Sequence, residues 1–422
     1  MDKLIIKGPT TLSGRVRVHG SKNSALPLLF GSLLFDTPVQ YENVPRLWDV
    51  ETTLRLLGSM GVRTEWDKEA ERVTIYPTVN DPTAPYEWVS KMRAGILALG
   101  PLLARYGKAK VSLPGGCAIG ARPVNYHLMA MERFGATVSV EGGYILASVK
   151  DRLRGAEIRF PEVSVTGTEN VLYVAACAHG TTRISNAARE PEILATGEFL
   201  QACGARIEGL GTSEIVVEGT SLLAPVAPVR IRPDRIECGT WITAAAITKS
   251  PLVLENCRAV EMTSVLSAFR DMGVGLEVSE DGATIAVHPE ERLYPLKIQT
   301  APYPGFPTDM QAQLLALMCL AQGTSQITEN IFENRFMHVA ELRRLGAKIR
   351  VRHNTATVLG PCRLVAAPLM ATDLRASASL VLAALAAEGE TTIRRIYHLD
   401  RGYARLDRTL RELGADVRRE TE

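Results

Sequence analysis

One thiol in this chain sits where it could do chemistry. Cys117 lies in Leu113-Pro114-Gly115-Gly116-Cys117-Ala118-Ile119-Gly120-Ala121-Arg122-Pro123, between glycines and five residues before an arginine. Glycine lets a loop bend through backbone conformations closed to other residues. A neighbouring cation draws a thiol toward its reactive thiolate form. A loop built this way suits a lid that delivers an acid, base or nucleophile onto an anionic substrate. The plain alternative is a tight turn holding an inert cysteine.

Other charges fall at unexpected places. Lys22, Arg93, Asp309 and Arg375 each stand in the first turn of a segment whose remainder is small and apolar, as in Ala376–Ala387. Such bodies read as buried helices. A charge at the start of a buried helix is costly unless the starts meet in a wet cleft. Helix N-termini also attract anions through free N–H groups and the macrodipole. Capping and surface charge are the simpler account; four of six helices sharing the feature favours a common anion-binding cleft.

Those helices belong to a repeat. A pattern of a helix end, a glycine and an apolar strand start recurs with glycines at 61, 135, 204, 273, 346 and 414, at spacings of 74, 69, 69, 73 and 68. Each glycine reads as a left-handed helix cap leading into a strand. Each is preceded by an earlier, buried helix, with starts read at Ser21, Met92, Gly167, Cys238, Pro307 and Leu374. Six such units account for the whole chain, so the fold is a duplicated α/β repeat. The period exceeds that of ordinary solenoids, which points to closed pseudo-symmetric domains.

Bulk properties narrow the classes. The chain has 422 residues, enough for two or three domains. A net charge of +2 gives no case for nucleic acid or an anionic membrane. The N-terminus Met1-Asp2-Lys3-Leu4 shows no signal peptide, and no apolar run has the length of a membrane span. Seven cysteines, an odd number with no Cys-x-x-Cys, fit a reducing cytoplasm and argue against disulfides or a zinc site. The seven histidines lack metal-ligand spacing, so no metal is expected.

Ser21-Lys22-Asn23-Ser24-Ala25-Leu26, the Pro114–Pro123 loop, Ala301–Gln313, Phe332–His338, Ala371–Ser379 and Tyr397–Tyr403 resemble the enolpyruvyl transferases from end to end. The resemblance implies a two-domain inside-out α/β barrel, six βαβαββ units in two pseudo-threefold domains. It places one domain at 22–232 and the other at 1–21 with 233–422, with the active site in the cleft between them. The related shikimate-pathway enzyme is similar in fold, but its Gly-Asn-Ala-Gly-Thr helix start is absent here. The implied reaction moves enolpyruvate from phosphoenolpyruvate to the 3′-hydroxyl of UDP-N-acetylglucosamine and releases phosphate, with no metal or organic cofactor.

The same resemblance distributes roles. Asp309 corresponds to the base or orienter of the 3′-hydroxyl, unless it is a simple helix cap. Cys117 corresponds to the residue that protonates C-3, with covalent addition also open to a thiolate. It further implies that fosfomycin, an epoxide mimic of phosphoenolpyruvate, alkylates Cys117. Lys22, Arg122 and Arg401 match the phosphate cluster; Arg335 and Arg375 match groups near the carboxylate. Arginine suits both tasks through its two parallel donors. Asn23 resembles a substrate-orienting amide. Glu190 and Glu192 line the cleft or pair with its arginines.

The nucleotide site is expected from Arg93, Arg122, Pro123, Val124, Asn125, Tyr126, Glu162, Val163, Ser164, Val165, Asp309 and Ile331. Three positions depart from the family. Asn125 stands where aspartate is common, Tyr126 where an aliphatic residue or glutamine is usual, and Glu162 replaces a frequent basic residue. An amide can both donate to and accept from uracil, so Asn125 remains compatible with binding. Three rivals stay open: a paralogue acting on another nucleotide such as UMP, a non-catalytic nucleotide-binding regulator, and a thiol redox sensor. The last lacks a resolving cysteine near Cys117.

Overall fold

The computed structural model describes residues 2–115, 123–220, 223–225, 228–288 and 292–421; Cys117 and Arg122 lie outside the described residues. The six repeat glycines all have φ between 88° and 106°. They follow the helices Trp48–Ser59, Asn125–Arg133, Pro191–Ala202, Thr263–Asp271, His338–Arg344 and Leu406–Glu412. At every one the glycine N–H donates three residues back and the next N–H five residues back. That pairing satisfies the last helical carbonyls and turns the chain into a strand.

Each repeat closes one four-stranded sheet. Lys297–Gln299 pairs parallel with Gly323–Thr328, which pairs antiparallel with Thr355–Gly360, which pairs antiparallel with Ile349–Arg352. All six sheets repeat this order of one parallel and two antiparallel pairings. In the last of them the chain's first strand, Asp2–Gly8, lies between Gly389–Arg394 and Asp416–Thr421. Gly14–Arg17 pairs with Leu252–Glu255, and Val229–Arg230 pairs with Val39–Glu42.

The described residues divide into two compact units, one within 20–115 and 123–232 and one joining residues 2–19 to those from 233 to 421. Each holds three sheets outside and three helices within. In the second unit the helices Arg235–Ile247, Gln311–Met318 and Leu374–Ala386 pack on one another. Every residue from Leu374 to Leu385 is buried. A helix apolar on all sides is stable only when enclosed, which puts helices inside and sheets outside: an inside-out α/β barrel. In the first unit the Tyr173 hydroxyl of helix Val165–Cys177 donates to Pro27 O at 2.6 Å, joining it to helix Lys22–Gly31.

Two helix starts differ from expectation. The helices read as beginning at Gly167 and Cys238 begin at Val165 and Arg235. The reason is capping. Ser164 Oγ accepts from Gly167 N at 3.2 Å, and Asp234 Oδ1 accepts from Ile236 N and Glu237 N at 2.8 and 3.1 Å.

A side-chain latch recurs where the second strand of a sheet ends. Asn43, Asn186 and Asn256 take φ of 57°, 57° and 58° there. Their amides donate to Ile231 O, Phe160 O and Val18 O, each just past the paired parallel strand. Asn330 makes the same bond to Thr300 O, displaced by one residue because Glu329 intervenes. The remaining two positions hold Leu113 and Arg395, which have no amide side chain.

Candidate active site

The expected residues come from two repeated places. Lys22, Arg93, Asp309 and Arg375 stand at first-helix starts. Ile331, Arg335 and Arg401 follow second strands, at the place that Glu190 holds in its own repeat.

In the second unit three of these meet. Asp309 lies in the short 3₁₀ turn Thr308–Met310, whose cap is Pro307, so its carboxylate is not a helix cap. Arg335 Nη2 donates to Asp309 Oδ1 at 2.7 Å. Arg375 Nε and Nη2 donate to Oδ2 at 3.2 and 3.1 Å. The two arginines are 6% and 4% exposed at the side chain, against 27% for Asp309. They are therefore not the surface ion pairs that arginine commonly forms. Burial alone draws Arg375 down, but Asp309 first and Tyr403 next more than reverse it, and the guanidinium stays above its ordinary range.

Around this pair polar groups lack partners. Arg375 Nη1 is buried with no hydrogen bond among the described residues. Of twelve such atoms, eight belong to Gln311, Gln313, His338, Thr372, Arg375 and His398, on the starts of helices Gln311–Met318 and Leu374–Ala386 and on neighbouring segments. Buried polar atoms are nearly always paired, so these groups are open to partners beyond the described residues. Arg401 ends the 3₁₀ helix Ile396–Arg401, and its charge helps hold His398 low, after burial and Arg395. The Tyr403 hydroxyl meets Thr240 Oγ1 at 2.9 Å and Gln313 Nε2 at 3.2 Å, under the Arg375 guanidinium.

In the first unit Lys22 Nζ lies 3.3 Å from Asp49 Oδ2, a buried carboxylate; Asn23 is the next helical residue. Arg93 Nη2 donates to Pro123 O at 3.0 Å. Val124 precedes helix Asn125–Arg133, and Tyr126 packs edge-on against Phe160. Glu162 and Val163 lead into the Ser164 cap and Val165. One buried amide joins these elements. Asn170 Oδ1 accepts from Gly100 N, and its Nδ2 reaches Ile96 O and His127 Nδ1, at 2.8, 3.0 and 2.9 Å. His127 Nε2 meets Thr166 Oγ1 at 3.2 Å. Arg93, Asn125 and Val165 thus stand on elements tied at a single point. Glu190 and Glu192 are both buried, and after burial itself they help push Glu169 well above the carboxylate range.

The buried histidines give a testable pH dependence. Burial first, and Arg93 second, drives His127 down to about 3; burial drives His338 down to about 4. Neither takes a proton when folded near neutrality, whereas both do when unfolded below about 6.5. Stability is therefore full above that pH and falls as pH drops, by about 1.4 kcal/mol per unit per histidine. The urea midpoint should be lower at pH 5 than at pH 7.5, and His127→Gln should lose less across that interval. Identical pH dependence in variant and wild type would count against the assignment.

Among the described residues no group of three or more His, Cys, Asp or Glu side chains could hold a metal ion. No helix among them is long and apolar enough to cross a membrane.

The family model described as EPSP synthase (3-phosphoshikimate 1-carboxyvinyltransferase) matches residues 6–410, and the chain belongs to this enolpyruvyl transferase family. The UDP-N-acetylglucosamine 1-carboxyvinyltransferase of Nitratidesulfovibrio vulgaris is 52% identical over 422 residues, covering all of both chains. The solved enolpyruvyl transferase NikO from Streptomyces tendae is 29% identical with a TM-score of 0.90, covering 100% of this chain and 99% of that one. EPSP synthase from Acinetobacter baumannii shares the fold at 18% identity, with a TM-score of 0.77 and full coverage of both chains.

Proposed function

We propose that the protein transfers the enolpyruvyl group of phosphoenolpyruvate to the 3′-hydroxyl of UDP-N-acetylglucosamine, the first committed step of peptidoglycan synthesis. The carrying observation is Asp309, gripped by two buried arginines of which one keeps an N–H without a partner among the described residues. The arrangement sets a proton acceptor beside donors suited to an anionic substrate. The full-length 52% identity to a carboxyvinyltransferase supports the same acceptor.

In this reading the 3′-oxygen attacks C-2 as Asp309 takes its proton, and Cys117 supplies a proton to C-3. The tetrahedral product then loses a proton from C-3 and expels phosphate, restoring the double bond. Lys22, held by Asp49, joins Arg122 and Arg401 on the phosphate, with Asn23 orienting substrate. The substrate carboxylate takes Arg375 Nη1 and Arg335, which shares their charge and frees Asp309 to accept a proton. Preorganised cations aimed at developing charge supply the largest part of such catalysis. The nucleotide rests on Arg93, Arg122–Tyr126, Glu162–Val165 and Ile331.

Phosphate release from phosphoenolpyruvate should require UDP-N-acetylglucosamine. Turnover with UMP and none with the sugar nucleotide would move Asn125, Tyr126 and Glu162 from tolerated departures to determinants of another acceptor.

A further inference from the structure

Glu329 has no place among the residues assigned above, yet it is 3% exposed and fully occupied. Its Oε1 accepts from Thr300 Oγ1 at 2.9 Å, Ile331 N at 2.8 Å and Phe332 N at 3.2 Å. Its Oε2 accepts from Thr308 Oγ1 at 2.8 Å. Thr308 Oγ1 in turn accepts from Arg335 Nη1 at 2.9 Å, and the other arm of Arg335 holds Asp309.

The direction of these bonds is forced. A carboxylate only accepts, and an arginine only donates. The single hydroxyl proton of Thr308 must therefore point at Glu329, which leaves its lone pairs for Arg335. Both arms of the guanidinium are then fixed, one on Thr308 and one on Asp309. Without Glu329 the hydroxyl is free to turn its proton elsewhere, and Arg335 loses one of its two anchors.

We infer that Glu329 is a positioning residue for the transfer reaction, acting through the Thr308 hydroxyl to hold Arg335 against Asp309, and through backbone amides to hold Ile331. The inference rests on the roles proposed above for Asp309, Arg335 and Ile331. It divides one carboxylate between two tasks, Oε2 serving the reacting centre and Oε1 the loop that reaches the nucleotide.

Two variants separate those tasks. Thr308→Val keeps the shape and deletes the hydroxyl, so kcat should fall about 10–100-fold, the scale for a misplaced reacting group. Its KM for UDP-N-acetylglucosamine should stay within about threefold, since the Ile331 contact is intact. Glu329→Gln cannot accept at both oxygens, so it should lower kcat and raise that KM together. Thr308→Ser restores the hydroxyl and should recover most of kcat. The double variant should be no slower than the worse single one, because both break one path.

Wild type assayed in parallel separates this inference from the reaction it rests on. Wild type that releases no phosphate rejects the proposed function. A crystal structure of Thr308→Val then reads the inference without turnover, through displacement of Arg335 from Asp309. Full kcat in Thr308→Val, or Arg335 still seated on Asp309 in that structure, overturns the inference. Should Glu329→Gln fail to fold, the Thr308 pair decides alone.

Discussion

Asp309→Ala should lower kcat by about 10²–10⁴-fold, the usual scale for losing a positioned acid–base group. It should also destabilise the protein, a second effect that ordinary catalytic substitutions lack. The carboxylate is the shared partner of Arg335 and Arg375, both nearly inaccessible to water. Removing one side of a buried ion pair costs about 3–5 kcal/mol; the 27% exposure of Asp309 places this case toward the lower figure. Asp309→Asn keeps an oxygen for the arginines and should retain more stability than activity. Phosphate release and a thermal midpoint, measured on both variants, separate the effects. An alanine variant within tenfold of wild type would remove Asp309 from the chemistry.

Cys117→Ser should slow turnover by about 10²-fold or more, because a hydroxyl is a far poorer proton donor than a thiol. Cys117→Asp should keep part of the activity, since a carboxyl can still supply the proton. Fosfomycin provides an independent readout. The thiolate sulfur attacks an epoxide carbon, the ring C–O bond opens, and the oxygen takes a proton, leaving one adduct. The remaining thiols are poor competitors. Pairing with Cys257 and Cys362, together with burial, pushes Cys238 and Cys319 up, and burial pushes Cys177 up to about 11. Cys362 is drawn down to about 6, chiefly by the Cys319 thiol, but is only 6% exposed. Intact-protein mass spectrometry should show a single adduct on wild type and none on Cys117→Asp. An adduct that survives in Cys117→Asp would place the reactive thiol elsewhere.

Much of the fold was legible because one residue type is compelled at one backbone shape. Only glycine takes φ near +95° without strain, so six glycines outlined six units before any contact was known. The starts at Val165 and Arg235 were misplaced although their signals were present. Asp234 followed three residues later by Glu237 is a capping pattern, and it lies upstream of the apolar body by which the helix is recognised. Lys22, Arg93, Asp309 and Arg375 stood out as candidates because a charge opening a buried helix is costly unless solvent or a partner meets it. Their supports did not stand out. Thr308 resembles any threonine near a helix start, and Glu329 any acid after a strand, until folding brings them within 2.8 Å. Asn170 is likewise an ordinary helical residue in sequence, and its value lies in three elements that are distant along the chain.

The asparagine latches divide the repeats in a way that bears on how such a protein can change. Four of six sheets carry the amide that fastens one strand end to the next, and leucine and arginine stand in the other two places. Leu113 opens the stretch that carries Cys117, and Arg395 the one that carries Arg401. A body assembled from copies can give up a fastening in one copy while its siblings keep the frame. Fastened corners carry candidate residues as well, since Asn330 opens the stretch of Ile331 and Arg335 and Asn186 that of Glu190. The same six loops thus serve as frame and as site, and the frame holds with or without the amide at a given corner.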